Sequence, residues 1–175
     1  MISVRFAAAL AAAALLASGI AVAEGAKPND AQIAHIAYTA GQIDIAAADQ
    51  ALQKSSNRDV RAFAEDMQRD HKAVNDKALA LVKKLGVTPQ DNPTSQALLK
   101  QATDERRKLS QLRGAAFDRA YAQNEVAYHQ TVNNALETTL IPSASNPELK
   151  SLLETGLKIF QGDEQHAEQV VADLK

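Results

Sequence analysis

The sequence predicts an all-α protein, a bundle of four long helices with one short helix inserted between the second and the third. Three observations support this fold class. Apolar residues recur at three- and four-residue intervals in each long segment, which is the spacing of one helix face. Asparagine, serine or threonine stands where these segments begin, as helix caps do. Glycine and proline stand in the breaks between them.

Local signals delimit the first two long helices. The first runs to about Lys54, and the second ends at Gly86. Pro89 and Pro93 are expected to keep the following loop from resuming a helix. The expected caps are Asn29 or Asp30 for the first helix and Ser56 or Asn57 for the second. The apolar stripe of the second helix consists of Val60, Phe63, Ala64, Met67, Val74, Ala78, Leu81 and Leu85.

The remaining helices follow from the same signals. Thr94 is expected to cap a shorter, more polar helix that ends shortly before Gly114. A further long helix is expected over about 115–140. The last helix reaches nearly to the end of the chain, with Asn146 as its cap and Pro147 as its first residue.

Loop lengths indicate how the helices connect. Short turns at 55–57 and 141–146 make two antiparallel hairpins, because so few residues can only reverse the chain. The segment 86–115 is long enough to cross back along the bundle. Two hairpins joined by a long crossover make the ferritin-like arrangement, and a simple up-down bundle is the alternative.

The first 23 residues are typical of a secretory signal peptide. A positive start at 1–5 precedes an alanine- and leucine-rich run at 6–16 and a small-residue cleavage site at 21–23. We therefore expect cleavage after Ala23 and a periplasmic helical domain at 24–175. A retained membrane anchor is the weaker interpretation, since the run is short for a span of about 20 residues.

Composition excludes several function classes. The net charge is −2 and tryptophan is absent, so the basic and aromatic surface of a nucleic-acid-binding protein is not expected. With no cysteine, thiol chemistry and thiolate metal sites are excluded. No nucleophile–base pair or phosphate-binding glycine loop occurs in the sequence, which argues against a hydrolase or a nucleotide-dependent enzyme. Composition leaves open whether the protein forms a homodimer.

Histidine placement gives the strongest functional indication. The four histidines fall on different predicted helices, and His71 and His129 both begin the sequence His-x-x-Val-Asn. Counting from the hairpin turns places both roughly 16–21 Å along helices of about 40 Å, near mid-height. Both lie on apolar faces, and Glu125 stands one turn before His129 on the same face. We therefore expect both histidines to face the core at one height, within reach of a shared partner.

The last helix offers two further candidate ligands. Asp163 and His166 have the i, i+3 spacing of the Glu-x-x-His motif of di-iron bundles, and Asp163 should lie near the level of Glu125. His166 should lie opposite Tyr121, offset from His129 by roughly 12 Å along the bundle axis. His35 lies at the edge of its apolar stripe and is left out of the site.

The sequence resembles an exported bacterial family of ferritin-like bundles of unknown function, over nearly the whole mature chain. The resemblance rests on Met67-x-x-Asp70-His71-x-x-x-Asn75, on Phe117-Asp118-x-x-Tyr121 leading to His129, and on His166. It implies a helical bundle and a location in the cell envelope. The family tends to have aspartate before the histidine of the third long helix, where this chain has Tyr128. The acidic positions common in its first helix correspond to Gln42 and Asp44 here, so one carboxylate is missing.

Two functional hypotheses follow. The first is a non-catalytic envelope or stress-related binding or structural protein, whose buried histidines pair with neighbouring polar groups. The second is a metal-binding bundle that handles oxidants, with Fe, Mn, Zn or Cu as the divalent ion. Its ligands would be His71, His129 and Glu125, with Asp163, His166 and Asp44 as outer members. An apolar ligand between the helices finds no specific support, because alanine-rich faces usually pack closely.

Overall fold

The computed structural model describes residues 27–174, and every regular element in this range is helical. The expected signal peptide lies outside the described residues. The elements are α1 (Asp30–Lys54), α2 (Arg58–Leu85), α3 (Pro93–Ser110), α4 (Gly114–Ala135), a π-helical turn (Leu136–Leu140), α5 (Ile141–Ser143) and α6 (Pro147–Asp173). Within 27–174, no helix combines the length and apolarity that a membrane span requires.

Side-chain caps begin three of the long helices where the sequence predicts them. Asn29 forms a capping box with Gln32, and Asn57 and Asn146 each accept two backbone N–H bonds. At the end of α2, Gly86 adopts the left-handed conformation with φ of 64°, which closes the helix. These four predictions are confirmed.

The start of α3 differs from the prediction. Asn92, not Thr94, caps this helix by accepting a bond from the backbone N–H of Ser95. Pro93 is the first helical residue instead of a helix breaker. At that position the missing proline N–H would have had no intrahelical partner, and the fixed φ already suits a helix.

The third long helix also departs from its prediction, because α4 does not continue as an α-helix to Leu140. Residues Leu136–Leu140 form a π-helical turn, in which the N–H of Ile141 donates to the carbonyl of Leu136. Pro142 follows directly; it provides no N–H for the carbonyl four residues earlier, and its ring crowds that carbonyl. A wider turn accommodates both effects.

The crossover helix α3 runs parallel to α1 along its length. His35 Nδ1 lies 2.8 Å from Ser95 Oγ near the starts of the two helices, and Lys54 Nζ donates to the Ser110 carbonyl near their ends. The start of α6 lies beside the start of α1, since the Asp30 carboxylate accepts bonds from two backbone N–H groups just before α6. It follows that α1 and α6 run in one direction, and α2 and α4 in the other.

The core consists of two apolar clusters with a polar layer between them. The packed cluster lies around the end of α1 and the start of α2, and its members include Phe63, Met67, Phe117 and Tyr121, all at most 1% exposed. The second cluster lies around the start of α1 and the end of α4. Its members are Ile33, Ile36, Ile43, Leu98, Leu136, Leu140, Leu149, Leu153 and Phe160.

The second half of α2 is less well covered than its apolar stripe predicts. Val74, Ala78, Leu81 and Leu85 are only half-buried, and Leu79 is 43% exposed. α1 packs closely on α2, and α4 on α6, whereas α1 and α4 contact each other sparsely. The bundle is therefore tight at one end and open at the other.

Candidate metal centre

Each long helix contributes to the polar layer at the level where it passes between the two apolar clusters. Asp44 comes from α1, His71 from α2, Glu125 and His129 from α4, and Asp163 from α6. All five are buried among the apolar residues of the same inward stripes. The layer therefore results from four amphipathic faces, each with a polar residue at mid-height.

Asp44 lies at the centre of this layer. Its Oδ2 atom is 3.2 Å from His71 Nε2 and 3.8 Å from His129 Nε2. On the other side, Asp163 Oδ2 is 3.7 Å from His71 Nε2. One ligand atom from each of Asp44, His71 and His129 lies within 4.8 Å of the others. Ligands bound about 2.0–2.2 Å from one ion stand roughly 3–4 Å apart, so a small contraction would place these three around a single ion.

Many polar atoms of the layer have no hydrogen-bond partner among residues 27–174. They are both Asp44 oxygens, both His71 nitrogens, His129 Nε2, Glu125 Oε2, Asp163 Oδ2 and the nearby Tyr121 hydroxyl. A buried polar group without a partner costs about 1–3 kcal/mol. Such a concentration in one layer is typical of a site that binds a cation or shares protons, not of an ordinary core.

Two contacts fix the orientation of the imidazole rings. His129 Nδ1 lies 2.9 Å from the backbone carbonyl of Glu125, so it carries the proton and donates to that carbonyl. In the neutral ring, the nitrogen with the free lone pair is then Nε2, the atom that lies 3.8 Å from Asp44 Oδ2. The His71 ring stacks on Phe160, with centroids 4.5 Å apart and planes 4° from parallel. Both rings are thus held in place without a direct bond between them.

Burial changes the protonation of the layer. Desolvation raises the pKa of Asp44 to about 7, and the nearby Asp163 carboxylate adds to the rise. Burial likewise raises the pKa of Asp163 to about 6 and that of Glu125 well above its usual value. It lowers the pKa of His71 to about 3, with His129 contributing. The imidazole of His71 is therefore neutral at pH 7, as a metal ligand must be.

Glu125 and Asp44 face each other as a carboxyl pair. When both are ionised, neither side chain can donate to the other, and both remain unsatisfied. A proton held by Glu125 donates to Asp44, and this contact raises the pKa of Glu125 further while it opposes the rise at Asp44. The layer can thus be neutralised by protons or by a cation.

The structure brings together five of the six residues that the sequence analysis selected, and Asp44 is central among them instead of peripheral. His166 is not part of the layer. Its side chain is 41% exposed, lies 3.7 Å from the Asp66 carboxylate and packs edge-on against Phe63. It is therefore at the height of the packed cluster but at the partly exposed edge between α6 and α2.

Sequence reasoning missed two contributors to the layer. Phe160, which orients His71, stands three residues before Asp163 on the same stripe of α6, a spacing that could have indicated it. The Tyr128 hydroxyl donates to the Ala40 carbonyl at 2.9 Å and so ties α4 to α1 next to the layer. No local signal predicts that contact, since it depends on how two helices pack.

Comparison with known proteins gives a family but no activity. No curated protein and no solved structure matches the chain. Residues 16–170 match the family described as "Domain of unknown function (DUF4142)". The match spans most of the chain, and the protein therefore belongs to this family of uncharacterised domains.

Proposed function

We propose that this protein is a metal-binding helical bundle that holds one divalent ion between Asp44, His71 and His129. The single observation that carries the proposal is the concentration of buried, unpartnered ligand atoms in one layer. Glu125 and Asp163 are the further carboxylates that could complete the coordination or accept bonds from metal-bound water.

The donor set limits which ion would bind. Imidazole nitrogen and carboxylate oxygen without sulfur suit Zn²⁺, Fe²⁺, Mn²⁺ or Cu²⁺. A di-metal bundle centre uses about four carboxylates with two histidines. In the described part of the chain, this layer has three carboxyl groups, from Asp44, Glu125 and Asp163, which favours one ion. The activity that we propose for a protein with such an ion is the handling of an oxidant.

The proposal includes a ferritin-like fold and export to the periplasm. The fold is supported by α3 lying along α1, which makes α2 and α4 run in the same direction as a long crossover requires. Export is supported by the signal-peptide pattern of residues 1–23, with cleavage after Ala23. Edman sequencing of the N-terminus of the protein recovered from the periplasm tests both the cleavage and the location.

The second candidate is a non-catalytic envelope or stress-related protein in which the layer is purely structural. The Glu125–Asp44 carboxyl pair favours it, because protons shared there could satisfy part of the layer without any ion. In that case the buried polar groups would fix how the four helices align.

Elemental analysis separates the two candidates. Protein isolated from its native compartment should contain about one equivalent of metal, and after chelation Zn²⁺, Mn²⁺, Fe²⁺ or Cu²⁺ should raise its Tm. His71→Ala should abolish the metal content, whereas the matched control His166→Ala should retain it. Metal far below one equivalent, with no Tm change from any ion, would refute metal binding. A His71→Ala loss of stability that is equal with and without chelator would favour the structural role.

A further inference from the structure

We propose that the open end of the bundle binds an uncharged molecule with a long hydrocarbon chain, a function separate from the metal proposal. A cavity of about 700 Å³ lies in the second apolar cluster, between the polar layer and the start of α1. Its walls include Ile36, Val74, Leu98, Leu136, Leu153 and Phe160. The expectation that alanine-rich faces close this space is wrong.

The size of this cavity is that of a ligand site. Protein interiors contain few voids larger than a water molecule, whereas small-molecule sites measure about 300–1,000 Å³. The other half of the same bundle packs normally, with Phe63, Val60 and Ala64 fully buried. The space is therefore confined to one end of the molecule and is not a general looseness of the bundle.

Specific features of the chain keep the cavity open. Small residues line it at Ala40, Ala78 and Gly156, where larger apolar side chains would fill it. A Cβ atom at Gly156 would lie 3.5 Å from the Phe160 ring and 3.8 Å from Val74, which is ordinary van der Waals contact, so a side chain there would occupy space that the glycine leaves to the cavity. The π-helical turn contributes Leu136, Thr138, Thr139 and Leu140 to the wall. π-turns within helices often occur at functional sites.

The chemistry of the walls selects the ligand. Among residues 27–174, none of those that line the cavity is charged, so an ionised head group inside would have no partner from this range. At the inner end, Phe160 separates the cavity from the carboxyl-rich layer, which would repel an anion. Along α4, from the level of the layer towards the open end, Gln130, Asn134 and Thr138 are exposed polar residues at four-residue spacing that could bond a hydroxyl group. A long-chain alcohol fits these conditions, whereas a fatty acid does not.

The test measures binding of 1-dodecanol by isothermal titration calorimetry, with dodecanoate as the charged analogue. The full-length mature protein should bind one dodecanol at least tenfold more tightly than dodecanoate. Ala78→Leu and Gly156→Leu, which both fill the cavity, should each weaken dodecanol binding at least tenfold. Ala80→Leu is the matched control, because Ala80 is exposed two residues away on the same helix and does not line the cavity.

Each contrary outcome overturns the proposal. Absence of binding up to the solubility limit of dodecanol would do so, as would equal affinity in Ala78→Leu and the wild type. Dodecanoate binding as tightly as dodecanol would refute the uncharged ligand. Analytical ultracentrifugation tests the alternative occupant. A wild-type dimer that Ala78→Leu disrupts would show that a second copy of the chain covers the cavity. Circular dichroism of Gly156→Leu ensures that lost binding is not lost folding, and Ala78→Leu gives an independent measurement.

Discussion

Replacement of Asp44 by asparagine should remove the pH dependence of stability that this carboxyl causes in the metal-free protein. Burial raises the pKa of this carboxyl from 3.8 to about 7, so the folded state holds the proton more tightly than the unfolded state. Protonated Asp44 therefore makes its whole contribution to the free energy of unfolding of the wild type below pH 3.8. This contribution is lost as the pH rises to 7. A shift of about three pH units corresponds to about 4 kcal/mol.

Asparagine does not titrate, so the free energy of unfolding of Asp44→Asn should improve relative to the wild type by about 4 kcal/mol between pH 4 and pH 8. His71 also titrates in this range, but it is present in both proteins and cancels to first order. Urea denaturation with chelator, followed by circular dichroism, measures the difference. Asp76→Asn, on the exposed face of α2, should change by less than about 1 kcal/mol. A change below 1 kcal/mol for Asp44→Asn would refute the buried, unpaired carboxyl.

Three further predictions follow from the same layer. Metal affinity should fall about 50-fold from pH 7 to pH 5, because a proton must leave Asp44 before the metal binds. If Asp163 is also a ligand, the affinity should fall about tenfold more. Competition with a chromophoric chelator measures both decreases. Phe160→Leu removes the ring stacked on His71 and should lower metal affinity about tenfold in the same assay, so an unchanged affinity would contradict a positioning role. Gly41→Ala should cost about 1–3 kcal/mol in urea denaturation, because its Cβ would lie 2.5 Å from Asn75 Oδ1, and a neutral result would mean that Asn75 is free to move.

Local signals predict the helices because caps act within a few residues. Asn57 and Gly86 are confirmed at the two ends of α2 since each satisfies backbone groups of its own helix. Pro93 was misjudged because a proline both ends helices and begins them, and only the preceding Asn92 decides which. The π-helical turn depends in the same way on Pro142, whose effect reaches back over a full turn.

The candidate site was predictable where helix periodicity alone determines it. His71 and His129 face inward at one height because each shares a stripe with apolar residues and lies a similar distance from a hairpin turn. His166 could have been excluded by the same argument, since Asp163 and Ala167 define the buried stripe of α6 and position 166 falls beside it. The central place of Asp44 was not predictable, because it depends on how α1 is rotated and shifted against α2 and α4.

The polar layer and the cavity share one wall, which is formed by Phe160. The packed cluster closes the layer on one side with Met67 and Tyr121, both at most 1% exposed. On the other side Phe160 touches His71 and also lines the cavity. A hydrocarbon chain there would exclude water from the layer, and charge interactions strengthen as water leaves. A solute that reaches His71 from the cavity side would therefore have to displace that chain first.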